Sequence, residues 1–266
     1  MLISFLSAKG SPGVTTSVLA LAARWPRAAI AVDLDPQGGD ILAGLGGGKH
    51  PARHGIVELL VEARNESLHA AMGRHVVRPA PHSPPVLAGF GAPGQAANVP
   101  WDLVGSHLVD VPGADILADC GRFVLDHSVS AVLRRSDLVV LVAGSSLRVV
   151  RAAARTLPLI RRELGTAGEA NHGHGPVTLV IIGPDMPYTA EEIAGGCQTE
   201  VAGTLPHDPV AASVWSDAAP TGRGFQRSRL QRAAGVLARA LAERATVCRG
   251  AAASRPGAGL NGRVLR

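Results

Sequence analysis

LISFLSAKGSPGVTTSVLALAARW, residues 2–25, decides the fold. Residues 2–7 form a short apolar run that reads as a buried strand. AKGSPGVTT, residues 8–16, then breaks it with Gly10, Pro12 and Gly13. Residues 14–24 resume an apolar pattern of helical length. A strand, a glycine-rich turn and a helix N-terminus together make an anion site. Gly10 and Gly13 let backbone N–H groups turn toward a phosphate, and the helix dipole favours the negative charge. Thr15 or Thr16 supplies a hydroxyl where a phosphate loop offers one to Mg²⁺. The phosphate-loop pattern G-x-x-x-x-G-K-[ST] is only partly met. Ala8 stands for the first Gly and Val14 for the Lys.

The rest of the chain keeps the same rhythm. Strands are expected at 2–7, 28–34, 86–90, 115–119, 138–143, 177–182 and 201–205. Helices are expected at 14–24, 55–64, 101–109, 125–134, 147–164, 190–195, 210–217 and 227–244. Strands apolar throughout and separated by helices indicate a doubly wound α/β fold, with a mostly parallel sheet covered on both faces. Residues 75–100 and 165–176 read as loops. The whole reads as one domain over residues 1–248, followed by a disordered Arg/Gly/Ala-rich tail over 249–266.

Composition narrows the function. Of 266 residues 46% are apolar but only 3% aromatic, so the core must be built from Ala, Val, Leu and Ile. Three cysteines without a C-x-x-C pair exclude a disulfide framework and fit a cytoplasmic setting. No apolar stretch is long enough to span a bilayer. GSPG interrupts the N-terminal apolar region, and Lys9 follows the first apolar run, which argues against a secretory signal. The net charge of +5 is uneven: residues 220–266 carry ten Arg and one acid, Glu243. Such an end suits an acidic partner, DNA above all, although 24 Arg against two Lys also reflects a compositional bias.

Two further segments carry chemistry. AVDLDPQGGD, residues 31–40, ends a strand with Asp33 and Asp35 on one face. ILADCG, residues 116–121, ends another strand on Asp119, a Walker B pattern in which the acid serves Mg²⁺. Cys120 beside it reads as a small buried residue. GFGAPG, residues 89–94, is a literal G-x-G-x-x-G, but the helix a dinucleotide site needs is not expected there. The pairs His50/His54 and His172/His174 lack a helical face for metal binding.

KGSPGVTT, residues 9–16, resembles the deviant Walker A of the ParA/MinD family, KGGxGKTT. Lys9, Gly10, Gly13, Thr15 and Thr16 match; Ser11 replaces a Gly and Val14 the phosphate-loop Lys. DLDPQG, residues 33–38, is similar to that family's second motif, and residues 201–220 to its late segment. The resemblance implies an ATP- and Mg²⁺-binding protein that dimerises with itself, Lys9 reaching the partner's nucleotide. It implies Asp35 orienting water, and Thr15, Asp33 and Asp119 serving the metal. It implies Pro206 and Asp208 near the base; Gly183 stands where the family often has an Asn that contacts it. With Val14 in place of Lys, binding is expected to weaken and hydrolysis to be slow or absent.

In the last helix Leu230, Ala234, Leu237 and Leu241 form a stripe that docks, leaving Arg229, Arg232 and Arg239 on the opposite face for DNA phosphates. GAGLNGRVLR, residues 257–266, lacks the bulky apolar residues of a MinD-like membrane helix. The expected function is chromosome or plasmid partitioning, or cellular positioning. The alternative is a non-hydrolysing scaffold similar to CpaE/TadZ, which localises a pilus or secretion apparatus by protein docking.

Overall fold

A computed structural model describes residues 1–10, 13–47, 55–80, 82–109, 111–125, 129–166, 176–184 and 187–254. Ser11, both histidine pairs and residues 255–266 lie outside the described residues.

The elements alternate along the chain. They are β1 (Leu2–Ser7), α1 (Val14–Ala22), β2 (Ala29–Asp33), α2 (Ile41–Gly46), α3 (Ile56–Glu62), α4 (Leu68–His75) and β3 (Val86–Leu87). There follow α5 (Pro93–Ala96), α6 (Trp101–Val109), β4 (Asp115–Arg122), α7 (Ser130–Arg135), β5 (Leu138–Gly144) and α8 (Leu147–Glu163). The chain continues through β6 (Val177–Ile182), α9 (Ala190–Cys197), β7 (Val201–Leu205), α10 (Pro209–Ser216) and α11 (Arg229–Ala253). The strands form one sheet in the order β3-β2-β4-β1-β5-β6-β7. All its neighbouring strands run parallel, and an antiparallel bridge joins Val77 to Val86 of β3.

The strand period of two divides the core. Leu2 and Leu6 of β1, with Val139 and Leu141 of β5, face one cluster that also holds Leu59 of α3, Leu108 of α6 and Leu157 of α8. Ile3 and Phe5, with Val140 and Val142, face the other, which holds Leu19 of α1, Trp215 of α10 and Leu241 of α11. With helices on both faces, the ligand-accessible margin of such a sheet is the line of strand C-terminal ends.

The stretch at 75–100 is more structured than expected. α4 ends at its head, β3 shrinks to Val86–Leu87, and α5 adds a turn of helix. α2 and α4 also go beyond the expected elements; Ser67 starts α4 by accepting a hydrogen bond from the Ala70 N–H. α11 runs on to Ala253, past the expected domain boundary at Arg249.

Candidate functional site

Gly13 sits at φ 88°, ψ 37°, in the left-handed region, immediately before α1. Its carbonyl accepts hydrogen bonds from the Ser17 N–H (2.9 Å) and the Ser17 hydroxyl (2.7 Å). The N-cap residue Gly13 has no side chain to cap the first turn of α1, whose N–H groups and dipole favour an anion. A Cβ on Gly10 or Gly13 would meet no atom of the described residues within 4 Å. Val14 turns the other way, 7% exposed within the cluster of Ile3, Phe5 and Val18.

Three carboxylates converge beside this turn. Asp119, 1% exposed in β4, accepts the Gly121 N–H through Oδ1 at 2.9 Å, and the Thr15 hydroxyl lies close enough to lower its pKa. Burial raises its pKa to about 6; the Thr15 and Gly121 bonds oppose the rise and the Asp35 charge adds to it. Asp33, 2% exposed, has a pKa well above the usual carboxylate range, through burial first and the Asp119 charge second. Its Oδ1 accepts the Asp35 N–H (3.2 Å) and its Oδ2 the Ile41 N–H (3.4 Å). Gly39 and Gly89 close over it: a Cβ on Gly39 would lie 2.4 Å from Asp33 Oδ2, and one on Gly89 2.8 Å from its carboxyl. Asp33 therefore ties the loop after β2 in place. The G-x-G-x-x-G string supplies this close packing through Gly89, and only the α5 turn follows it.

Asp35 is less enclosed. Burial raises its pKa, against a 2.9 Å hydrogen bond from the Gln37 N–H. Its carboxylate lies over Gly121 (φ 61°), where a Cβ would fall 2.2 Å away. Burial drives the Cys120 thiol far above its ordinary pKa, which makes it a poor nucleophile. Among the described residues no group of three or more His, Cys, Asp or Glu forms a self-sufficient metal site. A hydroxyl and a carboxylate do fit Mg²⁺, which takes few protein ligands and completes its shell with water and phosphate oxygens.

The late-segment residues part company. Pro206 lines a cleft of about 550 Å³ at the tips of β6 and β7, with Gly183, Thr204, His207, Arg229 and Arg232. Asp208 instead starts α10. Its Oδ1 accepts the Ala211 N–H at 3.1 Å and its Oδ2 the Leu230 N–H at 3.4 Å. Arg229, Arg232 and Arg239 are exposed, as the docked stripe of α11 requires. Sequence reasoning missed a second basic surface. Lys9 is exposed and shares a groove with Leu147, Arg148, Arg151 and Arg155 of α8. The three-, four- and seven-residue spacing of those arginines was the available signal.

A parallel doubly wound sheet with an anion-ready turn after β1 and acids at neighbouring strand ends defines the P-loop NTPase fold class. More narrowly, the chain has the fold of the ParA and MinD ATPases. It is similar to a ParA family ATPase from Chlorobium tepidum TLS, at 19% identity and TM-score 0.68, covering 89% of this chain and 98% of that one. It is similar to MinD complexed with Mg-ADP from Pyrococcus horikoshii OT3, at 17% identity and TM-score 0.69, covering 93% and 98%. A plasmid partition protein from Borrelia burgdorferi B31 bound to AMPPNP aligns at 15% identity and TM-score 0.67, covering 91% and 98%. No family model and no curated protein matches the chain. No helix among the described residues is long and apolar enough to cross a membrane.

Proposed function

We propose that this chain is a nucleoside-triphosphate-responsive partitioning or positioning protein of the ParA/MinD kind. The observation that carries the reading is the Thr15 hydroxyl beside the buried Asp119 carboxylate, at the N-terminus of a helix that starts on Gly13. The turn from Lys9 to Thr16, including Gly10, Ser11, Gly13 and Val14, would hold the phosphates on main-chain amides. Thr15 and Asp119 would serve Mg²⁺, with Asp33 behind them fixing the loop that carries Asp35. The metal would neutralise phosphate charge there. Asp35 would orient water. This part of the site is indifferent to the base, and ATP is the nucleotide that the resemblance implies.

Lys9 is exposed beside α8, which suits a reach into a second copy of the chain. A triphosphate-dependent homodimer would then present Arg229, Arg232 and Arg239 to non-specific DNA or to an acidic partition partner. The similar structures of MinD with Mg-ADP, a plasmid partition protein with AMPPNP and a MinC:MinD complex support nucleotide and partner binding by analogy. Sedimentation velocity tests the reading. Mg²⁺ with triphosphate should convert monomer to dimer, and Lys9→Ala should abolish the conversion. A natural protein that stays monomeric at saturating nucleotide contradicts it.

One observation favours a second reading. Val14 is packed into the core rather than offered to a phosphate, which suits weak or lost hydrolysis. A CpaE/TadZ-like scaffold would dock a secretion partner without nucleotide, and capture of a secretion ATPase by the nucleotide-free protein would distinguish it.

A further inference from the structure

A cleft of about 950 Å³ opens at the other margin of the sheet, where Ala29 and Ile30 begin β2 and Ala114 precedes β4. Asp33 closes the far end of β2, four residues on from Ala29, a span of about 13 Å. The cleft is therefore separate from the phosphate turn, and a ligand there is independent of the triphosphate reading. Its volume falls within the roughly 300–1,000 Å³ of small-molecule sites.

The lining joins two chemistries. Ile30 of β2, Met72 of α4, Val76, Pro85 and Val111 supply apolar walls. Gly73 of α4 leaves one wall open, since a Cβ there would meet no described atom within 4 Å. Two guanidinium groups, Arg27 and Arg78, stand on the same cleft. Arg27 donates through Nε to Asp115 (2.8 Å) and through Nη2 to the Met1 sulfur (3.8 Å). Arg78 donates through Nη1 to the Ser83 carbonyl (3.3 Å). A guanidinium carries five N–H donors, so each arginine is held by these bonds and keeps donors beyond them. Asp115, buried beneath Arg27, also accepts the Met1 amine and the Trp25 indole N–H, so this one carboxylate is shared among several donors. His69 and His82 add two imidazoles to the lining.

We infer that this cleft binds an amphiphilic organic anion. The apolar body lies on Ile30, Met72 and Val76, and the carboxylate or phosphate head meets Arg27 and Arg78. Apolar walls with a few placed polar groups are what such a ligand needs, and a guanidinium fork matches the paired oxygens of its head.

Displacement of N-phenyl-1-naphthylamine, an uncharged fluorescent probe, tests the inference on the natural protein. Decanoate, decanol and decylamine share one chain and differ in the charge of the head. Decanoate should displace the probe at about tenfold lower concentration than the other two. Arg78→Gln should bring decanoate and decanol together and leave the probe's own affinity unchanged. Gly73→Leu fills the open wall with a better helix former, and should weaken the probe and all three competitors about tenfold or more. Asp110, beside Val111, lies outside the described residues; decylamine binding as tightly as decanoate overturns the anion preference whatever its source. Uptake that Gly73→Leu leaves intact overturns the cleft as the site, as does the absence of saturable probe binding. Recovery of the protein on phosphatidylglycerol vesicles, with no displacement by monomeric decanoate, overturns the pocket in favour of a membrane surface.

Discussion

Asp33 and Asp119 are register partners on the neighbouring parallel strands β2 and β4, both almost fully buried. Each raises the cost of ionising the cluster, and Asp35 adds to it. Such a group of carboxylates is unfavourable by itself and becomes favourable when a cation joins it.

That relationship has a pH signature. The Asp119 pKa rises from 3.8 to about 6 in the fold. Below the unfolded value both states are protonated and the carboxyl has no effect on stability. As pH rises through the folded value stability is lost, and the deficit persists above it. Asp119→Asn should therefore stabilise the nucleotide-free protein at pH 7 by about 1–3 kcal/mol, measured by urea denaturation. The same change should abolish the Mg²⁺ dependence of triphosphate binding. In the natural protein that binding should weaken as pH falls through about 6.

Gly121 is the second point of test. Its positive φ and the Asp35 carboxylate over its Hα leave no room for a methyl group. Gly121→Ala should cost about 1–3 kcal/mol. Adding Asp35→Gly should recover the steric part and leave about 1 kcal/mol of backbone strain. Equal denaturation curves for Gly121→Ala with and without Asp35→Gly would contradict the packing.

Asp115, at the start of β4, tests the opposite end of the sheet. Its carboxylate accepts the Trp25 indole N–H (2.8 Å), the Met1 amine (3.0 Å) and the Arg27 guanidinium (2.8 Å). Burial pushes its pKa up, but these three partners outweigh burial and hold it below the usual value. Its contribution is thus present at neutral pH and lost as pH falls through the folded value. Asp115→Asn should lower stability at pH 7 by about 1–3 kcal/mol and have little effect in strong acid.

Val14 separates binding from turnover. Val14→Lys places an ammonium at the front of α1, where its stem can still cover Phe5 while its head reaches the anion site. Triphosphate affinity should rise by roughly tenfold to a hundredfold. Hydrolysis, expected to be slow or absent in the natural protein, should become measurable by phosphate release. Brisk turnover in the natural protein would contradict this role for Val14.

Much of this was legible in the sequence because it depends on local periodicity. β1, β6 and β7 fall where their apolar runs put them and Asp33 ends β2, but β4 does not end on Asp119 as expected: it runs on to Arg122. Contacts between distant segments were not legible. Gly39 and Gly89 seal Asp33 from two different loops, and a glycine string carries no mark of what it packs against. Helical spacing put Arg229 and Arg232 on the free face of α11, but spacing on one helix cannot show that β6 and β7 end beneath them. Asp208 next to a proline reads equally as a ligand contact or as a helix start, and Ala211 and Leu230 decide for the latter.

Calorimetric titration of the natural protein with Mg²⁺ and each of GTP and ATP tests the central claim most directly. Saturable heat whose Mg²⁺-dependent part disappears in Asp119→Asn is the predicted result. Absence of heat for both nucleotides at millimolar ligand would contradict a triphosphate site at the front of α1.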